Sequence, residues 1–129
     1  MLLRKSCIYR EFQHSQGEVD ALYGLGNSYR CLDDQERATA IFQESKAIAR
    51  DIEYGQGEVD VLNGLGAMGN SLGKHELAKA YHQEALTIAE AIEYPKGRAS
   101  AFNGLANVCG SLGEYEEAIA DHQKCLAIR

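Results

Sequence analysis

The chain has 129 residues with 13 Lys plus Arg against 19 Asp plus Glu, a formal charge of −6. That length suits one domain, and the acidic balance argues against nucleic acid and anionic membranes as partners. The first apolar run stops at Leu3, and none approaches the roughly 18 residues needed to cross a bilayer.

Four cysteines, Cys7, Cys31, Cys109 and Cys125, form no Cys-x-x-Cys pair and stand near no histidine cluster. They read as free thiols of a reducing, cytoplasmic compartment.

Self-similarity organises the rest. Residues 16–27 (QGEVDALYGLGN), 56–67 (QGEVDVLNGLGA) and 96–107 (KGRASAFNGLAN) repeat at a spacing of 40. The same offset aligns Leu32, Leu72 and Leu112, then Ala38, Ala78 and Ala118, then Ile48, Ile88 and Ile128. In chain order the expected units are a partial preceding repeat over 1–15, repeat 1 over 16–55, repeat 2 over 56–95 and a truncated repeat 3 over 96–129. The opening segment aligns Leu2, Ile8 and Phe12 with Phe42, Ile48 and Ile52, the second helix of a unit. With no polar cap at either end, the chain reads as part of a longer array.

Within a unit the periodicity is helical. Leu62, Leu65, Gly69 and Leu72 fall on one face, and Ala78, Tyr81, Ala85, Ile88 and Ile92 on the face of a second helix. Gly73 and Gly113 supply the left-handed residue that ends a first helix, with Asp33 a poorer substitute. Acidic residues Glu18, Asp20, Glu58 and Asp60 are expected to open first helices, as Glu114, Glu116 and Glu117 open the last second helix. Tyr54-Gly55-Gln56-Gly57 and Tyr94-Pro95-Lys96-Gly97 carry the breakers of turns between units. The fold class is all-α.

Gly113-Glu114-Tyr115-Glu116-Glu117-Ala118-Ile119 followed by Cys125-Leu126-Ala127-Ile128, together with Leu25-Gly26 and Leu65-Gly66, resembles the tetratricopeptide repeat. The 40-residue spacing and Leu25-Gly26-Asn27 make it similar to the Leu-Gly-Asn variant found in Pins-type G-protein signalling modulators and large multi-repeat scaffolds. The resemblance implies an α-α superhelix, a right-handed solenoid of antiparallel helix pairs. It also implies a noncatalytic scaffold, a signalling adaptor whose first helices line a concave groove for a peptide segment of a partner. Armadillo and HEAT repeats lack this alanine and Leu-Gly spacing, and a WD40 blade requires strand alternation that is absent here.

Gly64, Gly66 and Gly69 match the spacing of a dinucleotide-binding loop, but the repeat puts them in mid-helix. Each costs about 1 kcal/mol against alanine there, so each needs a reason. Gly26, Gly66 and Ala106 mark a close helix approach. Gly24, Gly64 and Gly104 mark a flat helix edge or the close passage of a ligand backbone. Gly69, opposite Tyr29 and Cys109 of the other copies, should leave a looser core near Leu65 and Leu72, and Ala or Tyr there should raise the melting temperature. His82 and His122, equivalent on consecutive second helices, read as packing residues rather than metal ligands, and His75-Glu76 lacks the second histidine of a zinc protease. No catalytic, cofactor or metal constellation is expected.

One stripe per first helix collects the candidate ligand-facing residues. These are Asp20, Tyr23, Asn27 and Arg30, then Asp60, Asn63, Ala67 and Asn70, then Ser100, Asn103, Asn107 and Ser111. Carboxamides suit the alternating donors and acceptors of a peptide backbone. The alternative is a structural piece whose uncapped ends drive self-association.

Overall fold

The computed structural model describes the backbone over 2–128 and the side chains over 10–128. Six helices follow in order among these residues: α1 (Leu2–Cys31), α2 (Gln35–Asp51), α3 (Gly55–Ser71), α4 (His75–Ala91), α5 (Pro95–Ser111) and α6 (Tyr115–Ala127). Three-residue turns make consecutive helices antiparallel neighbours. The first helices α1, α3 and α5 pack on one another in turn, whereas among the described residues no Cα atoms of α2, α4 and α6 come within 8 Å of one another. The first helices therefore form the inner face, and the chain is an all-α superhelical solenoid.

All five turns share one stop signal. The backbone N–H of Asp34, Tyr54, Lys74, Tyr94 and Glu114 donates to the carbonyl five residues back. The residue before each takes positive φ: Asp33 (62°), Glu53 (56°), Gly73 (78°), Glu93 (55°) and Gly113 (80°). Gly73 and Gly113 do what the sequence suggests. The turns between units lie upstream of the expected breakers, however, because Gly55 and Pro95 are already the first residues of α3 and α5. Pro is suited to that place, where its missing N–H has no intrahelical partner.

α1 departs furthest from expectation. Where a turn should separate residues 1–15 from repeat 1, the helix runs on for 30 residues, about 45 Å. Glu18 and Asp20 consequently lie in mid-helix instead of at a helix start. Ser15 stands where the later copies have Gly55 and Pro95, and His14 replaces Tyr54 and Tyr94, so breaker and anchor are both missing. Phe12 is partly exposed, and the side chains of Leu2, Cys7 and Ile8 lie outside the described residues, as does Arg129.

The core forms where small residues let helices close. Ala38, Phe42, Val61, Leu65 and Met68 make one buried cluster, and Val59, Leu62, Ala85, Ala89 and Ala101 make the next. Leu32, Leu72 and Leu112 sit at the turns and stay partly exposed. Beside Gly69 a cavity of about 50 Å³ touches Leu65 and Leu72, the looser packing expected. The Cβ direction is nonetheless closed, since a methyl at Gly69 would lie 3.2 Å from the Ala78 Cβ. An added methyl therefore needs Ala78 to give by a few tenths of an ångström, as the equivalent Ala38 does beside the partly buried Tyr29.

Candidate peptide-binding groove

The inner face gathers most of the stripe residues. One groove of about 200 Å³ is lined from α1 by Tyr23, Asn27 and Arg30, from α3 by Asn63 and Ala67, and from α5 by Ser100, Asn103 and Asn107. A neighbouring cleft of about 180 Å³ adds Asn70 and Ser71 and shares Arg30, Ala67 and Asn107. The Arg30 Nε is buried with no hydrogen-bond partner among the described residues. The Arg30 side chain lines both clefts.

Four stripe residues are already engaged. The Asp20 carboxylate accepts from the Tyr54 hydroxyl at 3.1 Å, and Asp60 accepts from Tyr94 at 3.0 Å. These bonds tie each inter-unit turn back to the preceding first helix. Burial pushes both tyrosine hydroxyls and the Asp60 carboxyl above their ordinary values, most strongly for Tyr94. Asn70 Oδ1 meets His75 Nδ1 at 2.9 Å.

Asn63 is buried rather than ligand-facing. Its amide nitrogen donates to the Gly97 carbonyl at 3.3 Å, and its oxygen lies 3.0 Å from His82 Nδ1. The first bond fixes the carboxamide orientation, so His82 Nδ1 carries the proton and Nε2 remains an acceptor. Burial holds the His82 imidazole neutral, with its pKa lowered to about 4.

The ring at this place explains the glycines. Phe42 lies against Gly26 and Gly64, and His82 against Gly66 and Gly104, where an added Cβ would fall 2.1–3.1 Å from ring atoms. Helices α2 and α4 thus each insert a ring between their own first helix and the next one. The Gly64 and Gly104 sites are ring slots rather than a flat edge, both also border the groove, and the close approach at Gly26 and Gly66 is by a ring rather than a helix backbone. His82 and His122 do not face one another, because His82 is buried and His122 exposed.

Two other features had little sequence signal. Tyr81 fills the wedge between α2 and α4, accepting from Gln43 at 3.2 Å under the Lys46 ammonium. Asp121 at the equivalent place leaves a cleft of about 270 Å³ lined by Lys79, Gln83 and Lys124. Cys109, Glu114 and Glu117 bring their ligand atoms within 4.8 Å of one another. Burial, first among the causes, pushes the Cys109 thiol up to about 11, so it stays protonated beside Glu117. Cys31 is exposed, Cys125 is half-buried, and both are free thiols.

A tetratricopeptide repeat family model matches residues 57–129. The chain belongs to the tetratricopeptide repeat family. Among solved structures it is similar to the tetratricopeptide domain of Arabidopsis FLU, with 23% identity and a TM-score of 0.79, covering 88% of this chain and 95% of that one. This likeness concerns the fold. No curated protein matches the chain by sequence. Tetratricopeptide domains are generally protein interaction modules, and neither the family nor the similar structure brings evidence of an enzyme. No described helix is long and apolar enough to cross a membrane.

Proposed function

We propose that this tetratricopeptide domain is a noncatalytic scaffold that holds an extended peptide segment of a partner protein along its inner groove. The carrying observation is the groove wall in which Arg30 stands with Asn27, Asn107 and Ser100, the polar side chains of three repeats converging on one cleft. Arg30 donates to a backbone carbonyl or an acidic side chain of the segment, while the carboxamides of Asn27 and Asn107 follow its backbone. Asp20 and Asp60 along the edge favour a basic residue, giving a mixed-charge segment rather than a free carboxyl terminus. Asn70 and Tyr23 extend the wall. The 40-residue period and Leu25-Gly26-Asn27 support the Leu-Gly-Asn variant and, through it, a signalling-adaptor role, and the thiols support a reducing, cytoplasmic setting.

Selection of a displayed random-peptide library on the 129-residue protein tests this reading. Selected peptides should lose at least about tenfold in affinity, roughly 1.4 kcal/mol, to a variant with Arg30→Ala and Asn107→Ala whose helical circular dichroism is unchanged. Equal binding to both proteins would remove the groove assignment.

A further inference from the structure

Gly17 and Gly24 of α1 have no other group within 4 Å of the place where a Cβ would stand, whereas the same positions one and two units later are occupied. Gly57 and Gly97 carry the rings of Tyr54 and Tyr94, and Gly64 and Gly104 carry Phe42 and His82. In the last of the described helix pairs, α5–α6, stand Asn103 and His122, the equivalents of Asn63 and His82. Both are exposed, and neither makes a side-chain hydrogen bond among the described residues. Leu126 is 79% exposed, while its equivalent Leu86 packs against the cluster containing Ala101. Ala21, the equivalent of Ala101, lies open on α1 between the two glycines.

We infer that the α5–α6 end of one copy docks on the α1 face of a second copy, continuing the junction already built between α3–α4 and α5. His122 enters at Gly24 as His82 enters at Gly104. Asn103 orients His122 and donates to the Gly17 carbonyl as Asn63 does to Gly97, and Leu126 covers Ala21. The unbroken α1 leaves this place free, because residues before Gln13 continue along the helix axis instead of folding back beside it. The contact joins unlike faces and repeats the screw of the solenoid, so it generates open head-to-tail chains rather than a ring.

Sedimentation velocity on the 129-residue protein across a concentration series tests the inference. The wild type should show a sedimentation coefficient that rises with concentration past the dimer. Gly24→Leu blocks the accepting face and His122→Glu the donating face, at positions where the change leaves the helical circular dichroism intact. Each variant alone should remain monomeric, and an equimolar mixture should stop at a dimer, since each retains one live face. A wild type that stays monomeric throughout, or variants that associate like it, would overturn the inference. Association abolished by Arg30→Ala with Asn107→Ala but not by Gly24→Leu would overturn it too, assigning assembly to the groove. Loss of peptide binding with assembly intact bears on the groove alone.

Discussion

Three residues at one place in the repeat, Gly24, Gly64 and Gly104, meet different surroundings, and their substitutions should separate accordingly. Gly24→Ala meets nothing within 4 Å and should stabilise the monomer by about 1 kcal/mol, the helix preference for alanine. Gly104→Ala would set a methyl 2.1 Å from the His82 ring, forcing the ring out for a loss of roughly 1–3 kcal/mol. Urea unfolding at low protein concentration reads both, and a stabilised Gly104→Ala would refute the ring slot. His82 also predicts an acid sensitivity. Its folded pKa of about 4 lies below the unfolded 6.5, so its neutral burial is fully compatible with folding above pH 6.5. As pH falls towards 4 the unfolded chain takes the proton first, and stability declines by up to about 3 kcal/mol. Between pH 7 and 5 the wild type should lose roughly 2 kcal/mol more than His82→Gln; equal losses would mean that His82 is not held neutral. The sequence shows that these small residues recur, but not why. The group that fills each slot comes from another helix, at a distance the repeat alone does not specify.

At the level of elements, the turns are uniform in geometry and uneven in chemistry. Glu53 and Glu93 hold left-handed conformations that side chains disfavour by about 1–2 kcal/mol. Replacing both by glycine should raise stability by roughly 1 kcal/mol in total, after the added freedom of the unfolded chain is counted. A lower melting temperature for the double variant would show that these side chains stabilise the turns. The helices themselves are legible in the leucine and alanine periodicity, and Gly73 and Gly113 mark two stops. Glu53 and Glu93 carry no local signal for their stops. Those positions are left-handed because tertiary bonds, from Tyr54 to Asp20 and from Tyr94 to Asp60, hold the following tyrosines. At Gln13-His14 no such bond is available and the helix continues, which periodicity alone does not reveal.

Across the whole molecule, stability arises between neighbours. Ser45 donates to the Val19 carbonyl at 3.0 Å, and Arg50 joins Glu58 and Glu84 at 2.6 Å each, linking α2, α3 and α4. Such an array is approximately a sum of unit and junction terms. The candidate groove was legible as stripes because first helices alternate with second ones. Asn63 was misplaced because its helix face borders both the groove and the next unit.

The alternation has a consequence for how such a chain can change length. From α2 to α5 every helix spans 17 residues and every turn three, so inner and outer helices have identical dimensions and differ only in order. Gaining or losing 40 residues preserves that order. A change of 20 would turn every downstream inner helix into an outer one, presenting the groove residues to the wrong side, much as a frameshift keeps the letters and loses the message.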